Sequence, residues 1–193
     1  MLFVLSAPSG SGKTTIARRI LPMFEALSFS VSATTRPRRP NEHEGADYYF
    51  LTADEFQSRI DGGLFVEWEE VFGNRYGTPV SEVERADREG RHLLFDVDVK
   101  GALSIKAAFG DAAVLIFIEP PDLETLRRRL EHRGSESPEV IERRIARAKW
   151  EMEQAPRFDY RVVNDDLSRS VPAVAAIVAE RSGMTARQQG RSS

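Results

Sequence analysis

Leu2-Phe3-Val4-Leu5-Ser6 runs without a break into Ala7-Pro8-Ser9-Gly10-Ser11-Gly12-Lys13-Thr14. The four apolar residues Leu2 to Leu5 with Ser6 suit a short strand buried on both faces, and the segment beyond Lys13 has helical character. Between them lies the pattern G-x-x-x-x-G-K-[ST], except that Ala7 stands where its first glycine belongs. A loop of this kind needs glycines so that consecutive backbone N–H groups can turn toward phosphate oxygens, and the helix N-terminus adds a positive dipole end. Lys13 supplies a mobile ammonium for the β and γ phosphates, and the Thr14 hydroxyl is placed to coordinate Mg²⁺. Alanine at position 7 is acceptable where φ is negative. Ala7 through Thr14, with Pro8, Ser9 and Ser11 among them, are therefore the candidate triphosphate site.

Outward from this loop, apolar runs alternate with helical patterns. Leu93 to Asp96, Ala113 to Ile118 and Tyr160 to Val163 read as further buried strands. Helices are expected over Lys13 to Leu21, Pro79 to Glu89, Lys100 to Phe109, Asp122 to Arg133, Pro138 to Gln154 and Ser168 to Glu180. That alternation implies a parallel sheet flanked by helices, an α/β class. Ser137 before Pro138 reads as an N-cap with proline at the first helical position, Gly90 as the end of a helix, and Thr52 with Glu55 as a capping box. Between Phe29 and Thr78 the pattern changes to short aromatic strands, Tyr48 to Leu51 and Leu64 to Trp68, around one short helix, as expected of an insertion with its own small sheet.

The chain has 193 residues, a length that suits one domain. A formal charge of -3 excludes a chain-wide attraction to nucleic acid, so any anion site must be built locally. The absence of cysteine excludes disulfides and thiolate metal sites and is compatible with a reducing cytoplasm. Leu2 to Leu5 is too short for a membrane span or signal peptide, so no membrane partner is expected. The polar stretch 182–193 reads as a flexible tail.

Asp96 and Asp98 close the strand Leu93-Leu94-Phe95-Asp96-Val97-Asp98, and period two would put them on one face, at the strand end where α/β sheets bind ligands. Which of them serves a metal and which an acceptor stays open. Ser32-Ala33-Thr34-Thr35-Arg36-Pro37-Arg38-Arg39, Gly45-Ala46-Asp47-Tyr48-Tyr49-Phe50, Phe65-Val66-Glu67-Trp68 and Gly73-Asn74-Arg75-Tyr76-Gly77-Thr78 follow in one order. Guanidinium forks and phenols such as Arg36, Arg39, Tyr48 and Tyr76 suit a monophosphate dianion. Guanine offers N1–H and N2–H donors beside the O6 acceptor, which a carboxylate with hydroxyls can read.

Together these segments resemble the guanylate kinases, a family of P-loop nucleoside monophosphate kinases, from Leu2 to about Arg181. The resemblance implies a P-loop NTPase-type parallel sheet with an inserted GMP-binding subdomain and a helical lid. Its domain is 1–181, with a core of 1–28, 79–127 and 156–181, the insertion at 29–78 and the lid at about 128–155. It implies transfer of the γ-phosphoryl group of ATP to GMP, with Mg²⁺ accompanying ATP, in purine nucleotide metabolism and in the cytoplasm. Glu67 matches the family's guanine-reading carboxylate, and Ser32 and Thr78 its hydroxyl contacts, with Gly77 beside them and one of Asp96 and Asp98 on the same edge. Arg129, Arg133 and Arg144 match lid arginines that reach the transferred group. Val163-Asn164-Asp165-Asp166 resembles the segment against adenine, with Asn164 as the contact. Acceptance of dGMP and the oligomeric state are left open. Three rivals remain: a non-catalytic interaction module of the same fold, opposed by the intact Gly10, Gly12, Lys13 and Thr14; a GTPase switch suggested by Asp98-Val99-Lys100-Gly101, which lacks an Asn-Lys-x-Asp element; and a sugar-phosphate kinase, opposed by Ser32, Glu67 and Thr78.

Overall fold

The structure is a computed structural model that describes residues 1–71, 73–132 and 137–187. In chain order its elements are β1 (Leu2–Ser6), α1 (Lys13–Ile20), β2 (Leu27–Phe29), β3 (Ala33–Thr34), β4 (Tyr49–Phe50), α2 (Ala53–Asp61), β5 (Phe65–Val71), β6 (Asn74–Pro79), α3 (Val80–Arg88), β7 (His92–Asp96), α4 (Val99–Phe109), β8 (Ala113–Glu119), α5 (Leu123–His132), α6 (Pro138–Glu153), β9 (Tyr160–Val163) and α7 (Leu167–Ser182). The main sheet has the order β2-β7-β1-β8-β9, with every neighbouring pair parallel. Every residue of β1 and β8 is buried, because helices cover both faces. Alternation sorts the side chains: Phe3 and Leu5 pack with Ile16, Ile20, Val174 and Val178 from α1 and α7, while Val4 and Phe95 pack with Ile105 and Phe117 on the opposite face.

Several strands depart from the sequence expectation: β2, β3 and β6 were not anticipated, and β9 is less buried than expected. Leu27–Phe29 is a parallel edge strand of the main sheet, with Phe29 opposite Leu94, so the small subdomain begins after Phe29 and not at it. Three residues containing one serine carry too little periodicity to announce a strand. In β9 only Val162 is buried, and Arg161 and Val163 are exposed, because this strand is the other edge of the sheet and is only partly covered. The tail expectation also fails for 183–187. Gly183 ends α7 at φ 73, Met184 and Ala186 pack on the core, and the Arg187 N–H donates to Met23 O at 2.8 Å. Two apolar side chains within that short polar stretch are enough to dock it.

The second sheet has the order β4-β3-β6-β5, with β5 and β6 forming an antiparallel hairpin. Its helix α2 starts with the expected reciprocal capping box between Thr52 and Glu55. Ser137 caps α6 without a side-chain bond, and Gly90 takes φ 61 after α3. Glu82, nearly fully buried on α3, ties the subdomain to the core. Its Oε2 accepts from the Val31 N–H at 2.9 Å and from Arg85 at 2.9 Å, and its Oε1 accepts from the Tyr49 hydroxyl at 3.1 Å. Helices α5 and α6 pack through a small core of their own, Leu126, Leu130, Ile141 and Ala148. Among the described residues no helix is long and apolar enough to cross a membrane.

Candidate active site

The order of the main sheet reverses at β1, whose neighbours β7 and β8 lead to opposite sides, and the crevice at such a switch point opens at the strands' carboxyl ends. The loop after β1 lies there. Gly10 and Gly12 have φ of 97° and 88°, backbone conformations that side chains with a Cβ rarely adopt, and the Ser11 N–H between them donates to Pro8 O at 3.0 Å. A Cβ on Gly12 would also lie 2.5 Å from Asn164 Nδ2. Lys13 Nζ pairs with Asp96 Oδ1 at 2.5 Å and donates to Val97 O at 2.6 Å. The Thr14 hydroxyl donates to Asp96 Oδ2 at 2.8 Å. Loop ammonium, hydroxyl and strand-end carboxylate therefore form one cluster.

A single cavity of about 380 Å³ joins this cluster to the small sheet. Of the anticipated residues, Ala7, Pro8, Ser9, Gly10, Gly12, Lys13, Thr14, Ser32, Arg39, Tyr48, Glu67, Tyr76, Gly77, Asp96, Asp98 and Arg144 all line it. Tyr48 and Tyr76 meet edge to face with ring centroids 6.1 Å apart. Burial, and then the nearby Asp96 and Tyr76, push the Tyr48 phenol up to about 12, so it remains a hydrogen-bond donor at neutral pH. On the opposite wall Arg144 Nη1 donates to Ser9 Oγ at 2.6 Å, which brings α6 onto the phosphate loop.

Other anticipated residues stand one layer back. Thr78 is fully buried, and its hydroxyl donates to Glu67 Oε1 at 2.6 Å, so it orients the carboxylate from behind. Ser11 is fully buried within the loop. Arg36 pairs with Glu42 at 2.7 Å, with its guanidinium 5.4 Å from the Tyr48 ring centroid. Arg129 donates to Asn164 O at 3.0 Å. Asn164 departs from its assignment as an adenine contact. It is 4% exposed, its Nδ2 donates to Ser11 O at 2.7 Å, and its Oδ1 accepts from Ser170 Oγ at 2.7 Å. The amide thus ties the loop through Ser11 to α7 through Ser170. Asp98 does not share a strand face with Asp96. β7 stops at Asp96, and Asp98 caps α4, its Oδ1 accepting from the Gly101 N–H at 2.9 Å. The two carboxylates still line the same cavity. Arg133 lies outside the described residues.

The sequence reading missed Thr15, Glu69, Val71, Val97, Arg147 and Glu151, which also line the cavity. Arg147 Nη2 donates to Asp98 Oδ2 at 2.7 Å and its Nε to Glu151 Oε1 at 3.0 Å. Its spacing of three from Arg144 and four from Glu151 was the available signal.

Comparison with known proteins agrees with this geometry. The guanylate kinase family model matches residues 1–181. A guanylate kinase of Chlorobaculum tepidum is 50% identical over 179 residues, covering 93% of this chain and 92% of the relative. One from Salinibacter ruber is 52% identical over 171 residues, covering 88% and 90%. The crystal structure of guanylate kinase from Anaplasma phagocytophilum superposes with a TM-score of 0.77 at 34% identity, covering 94% of this chain and 86% of that one. With a parallel sheet, a phosphate loop at its switch point and sequence identity running almost end to end, this chain belongs to the guanylate kinase family.

Proposed function

We infer that the cavity holds the family's two substrates end to end, ATP on the loop after β1 and GMP against the small sheet. The γ-phosphoryl group then passes directly from one to the other. The observation that carries this reading is that Lys13 and Glu67 line one cavity, which Tyr48, Tyr76 and Arg39 also line.

On the donor side, backbone N–H groups around Gly10 and Gly12 and the N-terminus of α1 bind phosphate oxygens, and Lys13 leaves Asp96 to follow the β and γ phosphates. The Thr14 hydroxyl and the Asp96 carboxylate are hard oxygen donors held 2.8 Å apart, a fit for a Mg²⁺ carried in with ATP. Among the described residues no cluster of three acidic or histidine side chains could cage a metal by itself, which accords with a nucleotide-borne ion. When bound, Mg²⁺ neutralises phosphate charge. On the acceptor side, Glu67 accepts from guanine N1–H and N2–H, Ser32 and Asp98 add to the same edge, and Tyr48, Tyr76, Arg36 and Arg39 take the phosphate. The GMP phosphate is already an anionic nucleophile, so no side chain has to act as nucleophile or base. Arg144, with Arg129 and Arg133 as further candidates, supplies positive charge to the transferring group. Closure of α5 and α6 excludes the water that would hydrolyse ATP. A cytoplasmic location, where both nucleotides are held, is part of this reading.

The test is an ADP-release assay with GMP, AMP and no acceptor, run on the wild type and on Glu67→Gln. The wild type turns over with GMP and is slow with AMP, and the variant loses about 10- to 100-fold of that preference. An unaltered preference in the variant would remove Glu67 from guanine recognition.

A further inference from the structure

Gly101 lies in the first turn of α4, buried, with its N–H held by the Asp98 carboxylate at 2.9 Å. Its backbone is helical, so nothing in its own conformation calls for glycine, and alanine there would favour the helix. What excludes a side chain is a neighbour. A Cβ at Gly101 would lie 2.7 Å from Glu67 Oε2, 3.2 Å from Glu67 Cδ and 3.4 Å from Asp98 Oδ1. These three nearest atoms are all carboxylate atoms, and none belongs to a backbone or an apolar side chain. The other oxygen of Glu67 receives the Thr78 hydroxyl at 2.6 Å. The Glu67 carboxylate is thus set between a hydroxyl on β6 and the bare Cα of α4, and it reaches across from β5 to occupy the place of the missing side chain.

We propose that Gly101 is a specificity-positioning residue: the absence of a side chain at this turn of α4 leaves the space in which the Glu67 carboxylate stands to face guanine. The inference rests on the assignment of Glu67 to guanine. A side chain at position 101 meets the far end of a flexible glutamate, so the fold can yield by swinging that carboxylate. The cost then falls on recognition of the base and not on packing. Asp98 is the nearer neighbour along the chain, but at 3.4 Å it is in ordinary contact and need not move.

The experiment compares Gly101→Ala with the wild type in thermal unfolding, KM for ATP, KM for GMP and the GMP-over-AMP ratio, with Glu67→Gln measured alongside. The expected result for Gly101→Ala is a melting temperature equal to or above the wild type and a KM for ATP within about twofold. Its KM for GMP should rise about tenfold or more, with a matching loss of preference over AMP. The double variant Gly101→Ala/Glu67→Gln should then be little worse than Glu67→Gln alone, because both changes act on one carboxylate. A lowered melting temperature, an unchanged KM for GMP, an equal rise in both KM values or simple additivity would each overturn the inference while leaving Glu67 in place. An unaltered GMP preference in Glu67→Gln would overturn the assignment of Glu67, and this inference with it.

Discussion

Glu67 stands where its own charge is penalised. Burial, with Asp98 and Glu69 adding to it, pushes its carboxyl up to about 7, although the Thr78 hydrogen bond pulls the other way. In the proposed role of Glu67, guanine's two donors need the ionised form, so KM for GMP is expected to fall as pH rises from about 6 to 8, beyond what titration of the phosphate near pH 6 explains. The same profile in Glu67→Gln should keep only the phosphate component. Because the folded value lies above the ordinary 4.5, the contribution of Glu67 to stability is present below that value and is lost as pH rises through about 7. Glu67→Gln should therefore melt at or above the wild-type temperature at pH 8 while reading guanine worse. Asn164 gives the opposite case. Asn164→Ala strips Ser11 O and Ser170 Oγ of buried partners, which costs about 1–3 kcal/mol in urea unfolding and raises KM for ATP with KM for GMP unchanged. Lys13, Ser32 and Tyr76 all line the cavity, and in the sequence Lys13 and Tyr76 showed by residue type, Ser32 by resemblance. The partner of Asn164 did not, since an amide 153 positions from Ser11 shows no spacing to read.

Helix α6 presents Arg144 and Arg147 three residues apart on one face, one bonded to Ser9 of the phosphate loop and the other to Asp98 beside the guanine carboxylate. The helix therefore spans both halves of the cleft. Methionine retains helix propensity without the charge, so Arg147→Met should leave α6 intact and weaken the acceptor side. We expect KM for GMP to rise about tenfold, the worth of one charge-assisted bond, with KM for ATP nearly constant, as steady-state kinetics would show. The loss also leaves Glu151, buried and already raised by that burial, without the guanidinium that opposes it. The long elements were legible in the sequence because their apolar periodicity follows from burial. The edge strand β2 and the second arm of the hairpin, β6, were not. They are short or turn-like in composition, and pairing across the sheet decides them more than propensity does.

For the molecule as a whole, apolar clusters close on both faces of the main sheet and between α5 and α6. What no local pattern could give is how the parts are fastened. Glu82→Ala would leave the Val31 N–H and the Tyr49 hydroxyl without their acceptor, a loss of about 2–5 kcal/mol that urea unfolding should register as a lower midpoint at constant slope. Ser32 and Tyr48 are each one residue from a group held by that carboxylate, whereas Arg39 lies farther out, on the stretch between β3 and β4. Were the small sheet to rock, its fulcrum would lie beside Ser32 and Tyr48, one proposed for the base edge and the other for the phosphate. In such a motion Arg39, far from that anchor, would swing through a longer arc than either of them.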